Sequence, residues 1–193
     1  MGRVSLLVTT LLWGVGATLQ FVVIDWSREK LMLSLDRAAM LPGVVAVGVA
    51  VGAVCAARWI TIERALSILP VGLLLGPLVI AVLPLHSLPL VALLLFVNGL
   101  AAGSFIVPMN ALLQHRGAEL VHAGQAIAVQ NFCENLSVMI MLALYALLRG
   151  THVPLVFIVI ALGVFTSTAM AAIRAHSFMR PDKAAAATIA DTR

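Results

Sequence analysis

Charge is what this sequence has least of: Lys, Arg, Asp and Glu together supply 10% of its 193 residues, against roughly a quarter in a soluble domain. With 62% hydrophobic residues and a mean hydropathy of +1.11, the chain cannot have water as its main solvent. Cysteine is scarce too, and Cys55 and Cys133 fall in separate apolar stretches, which excludes a disulfide framework and a metal-type Cys pair. The net charge of +4 and pI of 9.8 never gather into a basic run with interleaved aromatics, so nucleic acid is not an expected partner. His86, His115, His122, His152 and His176 stand in loops or at span ends without a second ligand at useful spacing, so no metal site is expected. No G-x-S-x-G nucleophile and no aspartate cluster is present, which argues against an intramembrane protease or a headgroup transferase. The sequence therefore predicts no catalytic residue, no cofactor and no enzyme.

What is present is a series of long uncharged stretches, at 5–24, 38–57, 65–83, 88–113, 124–148 and 153–173; only the fifth is interrupted, by Glu134. A helix of about 20 residues crosses a hydrocarbon core of about 30 Å, so an all-α integral membrane protein of six transmembrane helices is expected, over residues 1–174. Residues 175–193, with Pro181, Asp182 and an Ala run, read as a disordered cytoplasmic tail. Positive residues accumulate in the cytoplasm. Arg3, Arg58, Arg64, Arg116, Arg174, Arg180, Lys183 and Arg193 fall on one side, and Arg28, Lys30, Arg37 and Arg149 on the other, so both termini are expected inside.

Glycines four apart, Gly48 and Gly52, Gly72 and Gly76, Gly99 and Gly103, allow helix backbones to approach closely in lipid. Pro42, Pro70, Pro77 and Pro108 free backbone carbonyls inside spans, a feature transporters use and other polytopic proteins tolerate. Trp13, Trp26 and Trp59 fit aromatic anchors near the membrane faces.

The fifth span carries the most polar stretch, GQAIAVQNFCENLS from Gly124 to Ser137. Asn131, Glu134 and Asn135 stand at i, i+3 and i+4 on one helical face, and Gln130 with Glu134 is a further i, i+4 pair. A carboxylate at membrane depth costs about 2.5–3.5 kcal/mol on insertion scales, which makes Glu134 a candidate for substrate binding or gating. It could receive an ammonium headgroup, take up a coupling proton, or hold an Arg from another part of a transporter. The bland alternative is a carboxyl hydrogen-bonded within its own bundle. Asn98 and Asn110 in the fourth span, and Gln20 in the first, are further candidates, although amides are also common packing glue between helices.

The strings VPMNALLQHRG (Val107 to Gly117) and AGQAIAVQNFCEN (Ala123 to Asn135), with LWGVGATLQF (Leu12 to Phe21), resemble the lysophospholipid transporter LplT family. The resemblance runs from about Arg3 to Arg174 and covers the carboxyl-terminal half of that family's major facilitator superfamily fold. It implies six helices forming one half of a twelve-span bundle, with an amino-terminal transporter half as the missing partner. It also implies carriage of lysophospholipids, chiefly lysophosphatidylethanolamine, through the lipid bilayer of a bacterial inner membrane, and a functional link to an acyltransferase. Glu134, Asn131 and Asn135 match the family's eleventh span. Gln20 departs from a pattern that usually carries Arg there, so a guanidinium contact to phosphate is not expected from the first span. Rival readings are a drug or metabolite exporter of the same superfamily, whose G-x-x-x-D-R-x-G-R loop has only a trace in Gly52, Arg58 and Arg64, and a non-transporting membrane subunit.

Overall fold

The computed structural model describes residues 2–60, 68–120 and 123–178. They form six helices: α1 (Gly2–Lys30), α2 (Leu35–Trp59), α3 (Leu69–Ile80), α4 (Leu88–Leu120), α5 (Ala123–Gly150) and α6 (Leu155–Phe178). Five of these are long and apolar enough to cross a membrane. The exception is α3, whose 12 residues rise only about 18 Å. The third span was expected over 65–83; its first three residues lie outside the described ones, and after Ile80 the chain turns over Ala81–Pro84. The expected spans otherwise coincide with helices that run several residues further. The longest extension is at α4, which continues past Leu113 to Leu120 where a loop was expected, and α6 continues through 175–178 and takes the first turn of the expected tail. Nothing between Ile173 and Phe178 breaks a helix, and the next proline is Pro181; residues 179–193 lie outside the described part.

Short loops fix the antiparallel order. Leu31–Ser34 turns α1 into α2, and Thr151–Pro154 turns α5 into α6. Each loop contains one non-glycine residue in the left-handed region, Met32 (φ 54°) and His152 (φ 59°), as a sharp reversal requires.

The closest packing is between α2 and α4. A β-carbon on Gly48 or Gly52 would collide with the carbonyl oxygens of Phe96 and Leu100, and one on Gly99 or Gly103 with those of Val45 and Val49. The two expected glycine pairs thus face each other, and Ser104 Oγ donates to the Gly52 carbonyl at 3.3 Å across the seam. In α3, Gly76 lies against Gly163 of α6, whereas Gly72 abuts the side chains of Phe105 and Met170. Pro77 has no N–H for the carbonyl four residues earlier, and Ser167 of α6 donates its Oγ to that carbonyl, Leu73 O, at 3.3 Å. The apolar core has two parts. One gathers Leu19, Val22, Trp26, Leu95 and Ile158 toward the Lys30 end, and the other gathers Val8, Phe105, Met109 and Met170 toward the opposite end. Trp26 is buried in the first of these clusters, so it packs inside the bundle instead of anchoring at a membrane face.

Candidate functional site

The candidate residues separate into three places. The first is a buried polar cluster between α4 and α5. Gln130 and Glu134 are 6% and 8% exposed, one helical turn apart on α5. The Gln130 amide uses both of its hydrogens: Nε2 donates to Glu134 Oε1 at 2.8 Å and to Asn110 Oδ1 of α4 at 3.0 Å. An amide with two acceptors is satisfied as a donor, and it presents a fixed N–H to the carboxyl, which reduces the cost of holding Glu134 at this depth. By helix rise Glu134 lies about 10 Å in from Ile127, where the apolar part of α5 starts.

The second place is the outer face of α5. Asn131 and Asn135 are exposed, and Asn135 Nδ2 donates to the Asn131 carbonyl at 2.8 Å on the same helix. The i, i+3, i+4 spacing put these two with Glu134. The structure divides them, because the covered side of α5 is centred on Gln130 and Glu134 and leaves Asn131 and Asn135 at its uncovered edge. Phe132, Met139 and Ile140 are exposed on the same helix.

The third place is a cavity of about 320 Å³, within the range of small-ligand pockets. It is lined by α1, α2, α3, α4 and α6, with Trp13, Gln20, Val45, Leu75, Asn98 and Thr166 among the contributors. Every lining residue is uncharged. Trp13 is 47% exposed and Gln20 is exposed, so the cavity opens along that side of α1. Trp13 therefore lines a cavity where an interfacial anchor was expected. Asn98 is buried, and its Nδ2 donates to the Leu75 carbonyl of α3 at 3.2 Å, so it both ties α3 to α4 and borders the cavity. Thr166 Oγ1 donates to the Leu162 carbonyl at 2.7 Å within α6.

Sequence reasoning missed two features. The cavity is assembled from five helices, and no local pattern announces it. At the Lys30 end, Arg149 of α5 pairs with Glu29 and stands 3.5 Å from Asp25 of α1, while the Tyr145 hydroxyl donates to Asp25. Arg149 was counted only as a topology charge. Its partners Asp25 and Glu29, also four apart, were the available signal. Among the described residues no three His, Cys, Asp or Glu side chains come together as a metal-holding set.

The chain is 42% identical over 156 residues, 80% of its length, to the lysophospholipid transporter LplT of Yersinia enterocolitica. It is 43% identical over the same length to the proteins of that name from Yersinia pestis and Yersinia pseudotuberculosis. The match covers 38% of each relative, so the chain spans well under two thirds of the curated relatives it matches. No family model matches the chain, and no solved structure does. Over four fifths of its length the chain is a homologue of the lysophospholipid transporter LplT family.

Proposed function

We propose that this chain is the carboxyl-terminal, six-helix part of a secondary carrier that moves lysophospholipids such as lysophosphatidylethanolamine across a bacterial inner membrane. The observation that carries this reading is the uncharged cavity along α1, in a chain whose relatives are named lysophospholipid transporters. A single acyl chain needs an apolar slot with few polar groups, and this slot has that character. The lipid is delivered to the cytoplasmic leaflet, where a partner acyltransferase restores the second chain. Carriage involves no covalent step on this protein. The excess of Lys and Arg on the Arg3, Arg58 and Arg174 side supports cytoplasmic termini.

In this reading Glu134, with Gln130 and Asn110, is the gating group, and Asn131 and Asn135 meet a second six-helix unit of major facilitator type. Two amides exposed on an apolar helix support such a neighbour, because lipid offers them no hydrogen bonds. Carriers of that type hold substrate between two halves that rock against each other.

The test is transbilayer uptake of labelled lysophosphatidylethanolamine by spheroplasts lacking their own transporter. The chain is expressed alone and together with a related amino-terminal half, with insertion checked in both cases. Uptake is expected only with both halves. Its absence from both, with the chains inserted, overturns the substrate assignment and favours an exporter or a non-transporting subunit.

A further inference from the structure

Three uncharged polar residues of the cavity stand at one level. Counted along their helices, Gln20, Asn98 and Thr166 each lie about 15 Å from the helix ends at Lys30, Leu88 and Leu155. Those three ends lie on the same side of the bundle, so the three residues form a belt at one level of the cavity. Above and below the belt, on α1, the lining is Val23 on one side and Leu19, Val15 and Leu12 on the other.

The capacity of this belt for hydrogen bonds is specific. The Thr166 hydroxyl donates to Leu162 O and one Asn98 N–H to Leu75 O, while the Asn98 Oδ1 remains an acceptor. Gln20 makes no hydrogen bond to any described residue, and its amide offers two N–H donors and a carbonyl. No cation or anion lines the cavity. A phosphate drawn past Gln20 into the cavity, among Asn98 and Thr166, would lose its water without gaining a counter-charge, which is heavily unfavourable. A hydroxyl is matched on both counts: it donates to an amide oxygen and accepts from the Gln20 N–H.

On the reading of the chain as a lysolipid carrier, we propose that Gln20 is a specificity-determining residue that binds the free glycerol hydroxyl of a monoacyl lipid at the polar belt of this cavity. The acyl chain fills the apolar part of the cavity, and the phosphate, on the neighbouring glycerol carbon, stays at the open side of α1 beside the exposed Gln20. A diacyl lipid has no such hydroxyl and brings a second chain to a cavity of about 320 Å³. Leaving the Gln20 and Asn98 groups facing a ligand that cannot pair with them is what makes such a site selective.

Trp13, on the same cavity wall, supplies the readout. The full chain is placed in nanodiscs and titrated with lysophosphatidylethanolamine carrying a brominated acyl chain, and separately with its 2-deoxy analogue, which differs only in the missing hydroxyl. Saturable quenching that disappears in Trp13→Phe marks binding in the cavity. The hydroxyl-bearing lipid is expected to bind about tenfold more tightly than the deoxy analogue. Gln20→Leu, at an exposed position that packing does not depend on, is expected to bring the two lipids to equal affinity while cavity quenching persists. Equal affinity of the two lipids for the unaltered chain overturns the assignment of Gln20 but leaves the lipid-carrier reading intact. No saturable quenching by either lipid overturns both. Retained discrimination in Gln20→Leu moves the hydroxyl contact away from Gln20 and refutes the proposal.

Discussion

Gly103→Ala is the smallest change that tests how the bundle is held. Gly103 of α4 lies so close to α2 that an added methyl collides with the carbonyl and Cα of Val49. These are backbone atoms, so no side-chain rotation relieves the clash, and α2 and α4 must part by about 1 Å to restore ordinary separations. Overpacking of this kind costs about 1–3 kcal/mol. Parting the helices also stretches the bond from Ser104 Oγ to the Gly52 carbonyl, a further loss of about 0.6 kcal/mol for an interhelical bond in lipid. The expected destabilisation is therefore about 2–4 kcal/mol. Gly43→Ala is the internal control. Gly43 lies within α2, the partner helix of the seam, but an added Cβ there meets nothing within 4 Å, so the change should be neutral or stabilise by up to about 1 kcal/mol through helix propensity. Unfolding of the two variants in bicelles by increasing SDS, followed by far-UV circular dichroism, compares them directly. Equal midpoints for Gly103→Ala and Gly43→Ala would refute close backbone packing as the basis of the α2–α4 seam.

Three further outcomes are expected. Ser167→Ala should cost about 0.6–1 kcal/mol and cost almost nothing in a Pro77→Ala background, because the alanine then supplies the N–H that Leu73 O lacks; additive effects in the SDS titration would show that Ser167 does not serve that carbonyl. Arg149→Gln, which removes the pairing with Asp25 and Glu29 at a site 32% exposed on the Arg149 side chain, should lower stability by about 0.5–1 kcal/mol at low salt. Most of that difference should vanish in about 1 M salt; a loss independent of salt would assign the effect to packing. Glu134→Gln keeps an acceptor for Gln130 and should move the unfolding midpoint by less than about 1 kcal/mol, yet lower lysolipid uptake by the two-half transporter at least tenfold. Unchanged uptake would make Glu134 a packing residue.

The parts of this fold that were legible in the sequence are those in which one helix is sufficient to state the constraint. An uncharged run of about 20 residues declares a span whatever its neighbours are, and glycines four apart declare a close approach even though they do not name the partner helix. For Gly48, Gly52, Gly99 and Gly103 the partners proved to be each other's helices; for Gly76 the partner was Gly163, and for Gly72 it was two side chains. The short α3 was not legible, because its sequence remains apolar to Leu83 while the backbone stops at Ile80 and leaves helical order at a run of turns ahead of Pro84.

The polar residues of α5 show the limit more sharply. Helical spacing places Gln130, Glu134, Asn131 and Asn135 within one broad arc, but it cannot say where along that arc a neighbour's cover ends. In a soluble protein the answer follows from polarity, since amides turn to water and apolar groups turn inward. Here the exposed edge carries Asn131 and Asn135 among Phe132, Met139 and Ile140, and the covered edge carries the carboxyl of Glu134. Polarity has lost its sign as a guide to burial because the outside is apolar. What decides the matter instead is hydrogen-bond supply: Glu134 lies where Gln130 can reach both it and Asn110 of α4, whereas Asn135 finds an acceptor in its own helix and can remain at the edge. The same rule explains why Gln20 stands apart. Among the described residues it has neither a partner across the bundle nor one on its own helix, and a membrane-embedded amide in that position has its hydrogen bonds still to make.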